Sequence, residues 1–367
     1  MNIQRLWTVG LVLVLASCVA TQLSANPYAV FIVHCEPKNS DDDSFLNLLD
    51  MVMKADQKQV KLTIDFTPPW AEMILDNPEF LNSVTQWHQA GHELAVHHHP
   101  YWVSETRGTT WDGYTNTPQD EISPKNRSNY HGDIDDYMDL LNQLPGTRIS
   151  GTMGISYEQD VLDWPHNLLY SAYGHEFSQI ISQPEVVEYA GHHVWQMTHG
   201  LFWNAMPVQL ENAYRGAASS DIFAVVTHVS NYEDSLQNAQ AVENYFSFLG
   251  SEDPSGNSLV TVTQAMNLLI PNLLLGDTNN DNQVTGADLV IVQQNFGNVD
   301  PHTPTDGLFP GDANDDGQVT GADLIIVQQN FGNTLGPVGT AVPEPVSVCL
   351  LVLSGLGMLA RRCRVMS

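Results

Sequence analysis

A segment of 23 residues occurs twice near the C-terminus of this chain and constrains the fold there more than any other feature. The copies begin at Gly276 and Gly311 and differ at four positions: GDTNNDNQVTGADLVIVQQNFGN and GDANDDGQVTGADLIIVQQNFGN. Each copy opens with a loop rich in Asp and Asn and continues into an apolar run of helical character. The duplication therefore predicts two loop–helix units whose helices pack against each other.

The two loops have the spacing of calcium-binding loops. Calcium takes about six to eight oxygen ligands, and a loop of about 12 residues supplies them from side chains and one backbone carbonyl. The predicted ligands are Asp277, Asn279, Asp281, Gln283 and Asp288 in the first loop, and Asp312, Asn314, Asp316, Gln318 and Asp323 in the second. The first loop has Asn282 where the turn prefers the glycine that the second loop keeps as Gly317. We expect two calcium ions, the first bound more weakly.

This pair of half-EF-hands resembles the type I dockerin module, over residues 271–335. The last loop position holds Asp288 or Asp323, as in dockerins, instead of the Glu of a full EF-hand. The resemblance implies calcium binding and a cohesin-type protein as partner. The alternative is a spacer that calcium stabilises and that docks on nothing.

The charge of the chain limits its partners. Among 367 residues there are 42 acidic and 13 basic side chains, a formal net charge of −29, and no Lys or Arg between Arg215 and Arg361. Such a surface repels nucleic acid, so we expect no nucleic-acid partner. Cys35 is the only cysteine of the main domain, which leaves no disulfide framework there.

The N-terminus has the pattern of an export signal. Arg5 precedes an apolar stretch, and Leu23-Ser24-Ala25 offers a cleavage site, which predicts a signal peptide over residues 1–25. An alternative is a lipoprotein signal, because Leu15-Ala16-Ser17-Cys18 resembles a lipobox.

The C-terminus combines Val342-Pro343-Glu344-Pro345, an apolar run to Ala360, and a basic end. The run is short for a membrane span, which needs about 20 residues. The pattern resembles the PEP-CTERM sorting signal, with a linker at 336–345 and the sorting tail at 346–367; the alternative is a plain tail anchor. Both ends predict export to the cell envelope, surface or exterior, with membrane contact through these two segments.

Between the termini, residues 26–270 alternate short β-rich runs with helical stretches. Strands are predicted at 29–34, 60–66, 92–97, 148–152, 168–171, 193–198, 222–227 and 259–262, and helices at 44–55, 78–90, 134–144 and 235–249. This alternation predicts an α/β fold with a parallel sheet. Seven or eight units fit a (β/α) barrel better than a doubly wound sheet. Residues 101–129 are predicted to form a long loop over the barrel mouth.

Histidines and carboxylates occur where several of these strands end, which is where the chemistry of such barrels lies. The first strand runs into His34-Cys35-Glu36, Asp65 ends the second, and His97-His98-His99 ends the third. His97 and His99 share one face of their strand, whereas His98 faces the other way and is predicted to be structural.

Two imidazoles with a carboxylate are typical of a hydrolytic zinc or related site. We predict a divalent transition metal, most consistent with zinc, held by Glu36, His97 and His99, with His34 as a further candidate. His199 fits a site residue and a supporting residue equally well.

The order of these pieces resembles the polysaccharide deacetylase (NodB-homology) family over residues 28–265. Gly91-His92-Glu93-Leu94-Ala95-Val96-His97 looks like that family's GHE-x-x-x-H stretch, whose last His binds metal. The resemblance implies a distorted seven-stranded barrel and a metal-dependent hydrolase acting on a polysaccharide. His228 matches the catalytic histidine of the late strand and would protonate the leaving group.

Two positions depart from the family's pattern. His34-Cys35-Glu36 replaces its adjacent aspartates, and Tyr101 stands where its second metal histidine belongs. Glu36, His34 and Asp65 all remain candidates for the base. Trp111 and Tyr114 are the predicted substrate-binding aromatics. The alternative function is an inactive barrel that acts as a carbohydrate-binding or scaffold protein in an extracellular assembly.

Overall fold

The computed structural model describes residues 26–153, 163–165, 168–174, 176–189, 192–270, 276–278, 283–298, 311–313 and 319–332. The predicted signal peptide, linker and sorting tail lie outside these residues. So do five of the predicted calcium ligands, namely Asn279, Asp281, Asn314, Asp316 and Gln318. Within the described ranges, no helix is both long enough and apolar enough to cross a membrane.

One curled sheet of ten strands organises the N-terminal part of the chain. The strands are β1 Tyr28–Cys35, β2 Leu62–Phe66, β3 Glu93–His98, β4 Ser150–Met153, β5 Tyr170–Tyr173, β6 Ile181–Ser182, β7 Glu185–Tyr189, β8 His192–Thr198, β9 Gly200–Leu201 and β10 Ile222–His228. Nine of them follow the order β6-β10-β1-β2-β3-β4-β5-β8-β7, and β9 pairs with β10. From β10 to β8 every neighbouring pair is parallel, whereas the two edge strands are antiparallel to their neighbours.

Eleven α-helices accompany the sheet in the described residues. They are α1 Asp42–Gln57, α2 Pro68–Asp76, α3 Pro78–Gln89, α4 Tyr101–Arg107, α5 Ile134–Leu141, α6 Pro207–Gly216, α7 Val229–Glu233, α8 Leu236–Glu252, α9 Val262–Leu269, α10 Gly286–Asn295 and α11 Gly321–Gln329. Asp41 caps α1 by accepting a hydrogen bond from the backbone of Ser44, which shows how short polar residues fix the starts of these helices.

The period of two along β1 divides its side chains between two apolar clusters. Phe31 and Val33 pack into the larger cluster, which includes side chains of α1, α2 and α8, while Val30 and Ile32 pack into a smaller one with residues of α9. Both faces of this central strand are therefore buried, as expected for a parallel sheet. Gly151 in β4 lies so close to the backbone of Val96 that an added Cβ would collide with the Val96 carbonyl.

The predicted closed barrel is only partly confirmed. The fold is mixed α/β, but the sheet is a curled half-barrel, because no ladder joins β6 to β7 in the part of the chain that the structure describes. The predicted strand at 259–262 is wrong: Leu259 makes a single bridge to Ala29. Thr261 then forms a capping box with Gln264 and caps α9, so Val262 and Thr263 belong to a helix.

The region predicted as a loop over the mouth contains regular structure. Helix α4 occupies its first seven residues, and a short 3-10 helix lies at Arg127–Asn129. The rest is held by side-chain contacts: Tyr101 accepts a hydrogen bond from the backbone of Ser123, and Glu105 accepts from Ser123 and Asn126. Backbone hydrogen bonds between residues 113–115 and 131–132 add a single β-bridge, from Tyr114 to Gly132.

The two repeats form a small module around four valines. Val284, Val292, Val319 and Val327 are fully buried against one another. They occupy equivalent positions of the two repeats, so α10 and α11 pack as the predicted twins. Each helix begins with a capping box, made by Thr285 with Asp288 and by Thr320 with Asp323.

Candidate functional site

Strand register brings polar groups from β10, β1 and β2 into one row. His34 lies opposite His228 on one side and opposite Asp65 on the other. Glu36 follows β1 by one residue, and His97 lies near the end of β3. All of these positions are at the carboxyl ends of parallel strands, so the site forms at the edge of the sheet that the sequence predicts.

Glu36 is the centre of the site. Its Oε1 lies 3.4 Å from Nε2 of His97 and 3.2 Å from Nε2 of His228, and its Oε2 lies 2.9 Å from Nε2 of His99. The Nε2 atoms of His97 and His99 are 3.1 Å apart. Three imidazoles from two strands and a loop therefore meet one carboxylate.

The opposite ring nitrogens show which atom each histidine presents. Nδ1 of His97 lies 3.0 Å from the carbonyl oxygen of Thr152, and Nδ1 of His99 lies 2.8 Å from that of Thr110. A carbonyl oxygen only accepts, so each Nδ1 must donate and each neutral Nε2 carries a lone pair. Two lone pairs 3.1 Å apart repel unless a proton or a metal ion lies between them.

This donor set fits a divalent metal. Ligands at about 2.1 Å from a tetrahedral zinc ion are roughly 3.4 Å apart, close to the separations around Glu36. Metal-binding histidines commonly donate their other ring nitrogen to a carbonyl oxygen, as His97 and His99 do. His34, Glu36 and His97 also offer ligand atoms that all lie within 4.8 Å of one another.

The protonation of the site follows from burial and from these contacts. Burial would raise the pKa of Glu36, but hydrogen bonds from His228, His97 and His99 outweigh it and hold the pKa well below its usual value. Burial lowers the pKa of His97. Burial would also lower the pKa of His99, but the hydrogen bond to Glu36 raises it instead.

A second layer lies beneath this carboxylate. His34 is 2% exposed, stacks on His97 with ring centroids 4.1 Å apart, and has Nε2 at 3.6 Å from Asp65. His199 is fully buried and meets the His34 ring edge-on. Burial, followed by the charges of neighbouring imidazoles, lowers the pKa of His34 well below its usual value. Because His199 is fully buried against His34, it belongs to the supporting layer.

Asp65 is buried more deeply than Glu36. The sequence predicts it as one of three candidate bases, but the structure leaves it 1% exposed beneath His34. Burial raises the pKa of Asp65 well above its usual value. Its Oδ2 lies 3.6 Å from Nε2 of His34.

A buried ionic cluster behind the site was not foreseen. His98 donates from Nδ1 to Asp112 at 2.8 Å, and its Nε2 is 3.6 Å from Asp163. Burial would lower the pKa of His98, but the two carboxylates raise it to about 10. Asp112 also accepts from the backbone of His99, so the cluster positions that ligand candidate. The sequence indicated only that His98 faces away; Asp112 and Asp163 lie too far along the chain to be paired from spacing.

The predicted substrate-binding aromatics have different environments. Trp111 is half-buried and donates from its indole to the backbone oxygen of Tyr114. Tyr114 is 6% exposed, and its ring packs near Tyr137 and His131. Tyr114 therefore has no open face for stacking on a sugar ring, whereas part of Trp111 remains accessible.

The described part of the calcium loops contains buried carboxylates. Asp277 and Asp288 in the first loop, and Asp312 and Asp323 in the second, are between 0% and 6% exposed. The module has no Lys or Arg, because none occurs from residue 216 to residue 360. A calcium ion would balance this buried negative charge, so these loops fit calcium. Gln283 lies at the edge of the described segment, where its backbone carbonyl is the predicted ligand.

Comparison with known families identifies the module. Residues 275–332 match the family model described as Dockerin type I domain. The repeat region is a dockerin domain. The match covers this part of the chain only, and no curated protein matches the chain.

Two solved structures resemble the chain in part. One is described as a polysaccharide deacetylase from Mycobacterium smegmatis, with 12% identity, a TM-score of 0.42, and coverage of 68% of this chain and 92% of that chain. The other is a 4-alpha-glucanotransferase from Thermococcus litoralis, with 10% identity, a TM-score of 0.42, and coverage of 73% of this chain and 44% of that chain. These likenesses are too distant to assign a reaction to residues 26–270.

Proposed function

We propose that the chain is a secreted or surface-attached, metal-dependent carbohydrate hydrolase that removes acetyl groups from a polysaccharide. The observation that carries this proposal is the convergence of three Nε2 atoms on Glu36, with the Nδ1 atoms of His97 and His99 committed to carbonyl oxygens. Such an arrangement binds a cation and leaves polar groups beside it for proton transfer.

Glu36, His97 and His99 would hold the metal, with His34 as a further candidate in the layer below. When bound, a divalent metal such as zinc would polarise the acetyl carbonyl and lower the pKa of a water molecule beside it. Glu36 has two oxygens that face different imidazoles, so one can bind metal while the other accepts a proton from this water.

His228 is the proton donor to the leaving group. Its Nδ1 lies 3.1 Å from the side-chain oxygen of Asn231, and its side chain is 23% exposed, which is more than any other imidazole around Glu36. Water oxygen bonds to the acetyl carbon, the bond from that carbon to the sugar nitrogen or oxygen breaks, and the proton from His228 Nε2 goes to the leaving atom. Trp111 is the candidate for contact with the sugar chain.

The dockerin domain attaches this activity to an extracellular assembly. Dockerin resemblance supports two bound calcium ions and a cohesin-type partner, and the buried carboxylates of both loops support the ions. The predicted signal peptide and sorting tail would place the chain at the cell envelope, surface or exterior, with membrane contact through these segments. The acidic surface is unsuited to nucleic acid.

Metal analysis of the purified chain tests the enzymatic part. We expect about one equivalent of transition metal in the wild type, and less than a tenth of that in a His97→Ala/His99→Ala variant. His131→Ala is the control, because this exposed histidine lies outside the site. Release of acetate from acetylated glycans is then measured on the same samples. Equal metal content in all three proteins would contradict the proposed site.

A second candidate function is a carbohydrate-binding or scaffold role without catalysis. Glu36 is the one carboxylate that reaches the open side of the site among the described residues, since Asp65 is buried. A hydrolase of this kind uses one carboxylate as ligand and another as base, so the single Glu36 favours this alternative. Bound metal, glycan binding and no acetate release would establish it.

A further inference from the structure

The two repeats of the dockerin domain are nearly identical, but one of them contacts the sheet. Ile326 in α11 is 5% exposed and belongs to the apolar cluster that contains Val260, Val262, Met266 and Ile270. We call these four residues the basal patch. They lie at the end of the sheet opposite the candidate site, where the described residues of both parts form one compact unit.

A cavity beside this contact also joins the two parts. It has a volume of about 340 Å³ and is lined by Gln329 and Asn330 of the second repeat and by His88, Gly146 and Asn267 of the N-terminal part, among others. The contact therefore extends from the apolar patch into a polar margin, as in other interfaces between domains.

The first repeat presents the same side chains without this contact. Ile291 is the equivalent of Ile326, and Asn295 donates to the carbonyl of Ile291 as Asn330 does to that of Ile326. Within the described residues Ile291 is only partly buried and belongs to neither cluster of the N-terminal part. The chain thus contains an internal control for the docked isoleucine.

The docked helix depends on its calcium loop. Asp323 is the last predicted ligand of the second loop and lies in the first turn of α11. Its two oxygens accept hydrogen bonds from the backbone of Ala313 and Thr320, and it is fully buried. An ion at this carboxylate would fix the start of α11 and hence the position of Ile326, because metal binding and folding are coupled in such loops.

We propose that the second repeat is a calcium-dependent clasp on the basal patch, so that calcium binding to the dockerin domain stabilises residues 26–270. Ile326 is the contact that transmits this effect, and Ile291 does not take part. The inference rests on the calcium binding proposed above and is independent of catalysis and of any cohesin-type partner.

Thermal unfolding of the full chain, followed by tryptophan fluorescence, tests the proposal. All eight tryptophans lie at or before residue 203, so the signal reports the N-terminal part alone. Calcium is removed and added back, with magnesium as the control ion. We expect calcium to raise Tm by about 4–8 °C in the wild type and in Ile291→Ser, and by less than about 2 °C in Ile326→Ser.

Calcium content and hydrogen exchange are measured on the same proteins. The proposal would be overturned if both serine variants bind two calcium ions and show an equal rise of Tm. It would also be overturned if the wild type binds two ions and its Tm does not rise. If Ile326→Ser loses calcium, the proposal is tested instead by amide hydrogen exchange of the wild type. We expect calcium to slow exchange in Val262–Leu269 by at least about tenfold. Unchanged exchange would overturn the clasp. Absence of bound calcium in the wild type would instead overturn the calcium sites themselves, and the clasp with them.

Discussion

The candidate site and the dockerin domain both gather acidic and polar ligands, but they gather them in different ways. In the dockerin domain all ligands of one ion come from a loop of about 12 residues. In the candidate site, Glu36, His97 and His228 come from three strands that are distant in the chain. Local spacing therefore specifies the first kind of site, whereas the second depends on the whole sheet.

We expect the largest loss of metal and activity when one imidazole of the candidate site is removed. Replacing His97 by Ala removes the imidazole whose Nδ1 is already fixed on the Thr152 carbonyl and leaves Glu36 with two imidazole partners. We expect metal content to fall by at least tenfold and acetate release to fall by about a thousandfold or more. Elemental analysis and a glycan deacetylation assay check this.

His88→Ala is the matched control, because this histidine lies at the opposite end of the sheet. An active enzyme with unchanged metal content after His97→Ala would show that the strand-end cluster is not the reaction centre.

The second prediction concerns the calcium loops of the dockerin domain, whose predicted ligands are close together in the sequence. Replacing Asp288 and Asp323 together by Ala removes the last predicted ligand of both loops and the capping box at the start of both helices. We expect loss of both calcium ions and a decrease of at least about a hundredfold in affinity for a cohesin-type partner. Isothermal titration with calcium, then with the partner, measures both. Partner binding that persists without calcium would separate the dockerin surface from its loops.

These two regions also show how far the sequence alone reaches. The duplicated spacing correctly indicated a dockerin domain, because a repeated loop carries its ligand positions with it. The β-branched run Val260-Thr261-Val262 predicts a strand, but Thr261 instead caps α9, which begins at Val262. Propensity describes single residues, whereas the cap depends on the hydrogen bond from Gln264 to Thr261.

In the candidate site, the structure brings His97, His99 and His228 near Glu36, as the strand ends in the sequence predict. Burial separated them into layers, and sequence does not report burial: Asp65 and His34 lie beneath, while Glu36 and His228 remain accessible. The partners of His98 were missed because they come from loops, where no period fixes which residue meets which.

The buried cluster of His98, Asp112 and Asp163 lies behind the candidate site and should contribute strongly to the stability of the fold. Asp112→Ala leaves His98 with a single carboxylate partner and removes the acceptor for the backbone of His99. We expect the free energy of unfolding to fall by about 3–5 kcal/mol, because breaking a buried ion pair leaves the remaining charge buried without that partner. Urea unfolding followed by tryptophan fluorescence measures it. Asp120→Ala, an exposed change in the same region, should alter stability by less than about 0.5 kcal/mol.

We expect the smallest changes in stability when the helix caps of the two repeats are removed one at a time. Thr285 and Thr320 cap α10 and α11 through equivalent hydrogen bonds to the backbone of Ala287 and Ala322. Each Thr→Ala change should cost about 1 kcal/mol of dockerin stability, measured by circular dichroism in calcium. Only Thr320→Ala should also lower the Tm of the tryptophan-containing part, by about 1–3 °C, because α11 alone carries the docked Ile326. Equal effects on that part would mean that the two repeats act on the sheet in the same way, and that the local symmetry of the dockerin domain is not broken by its contact with the basal patch.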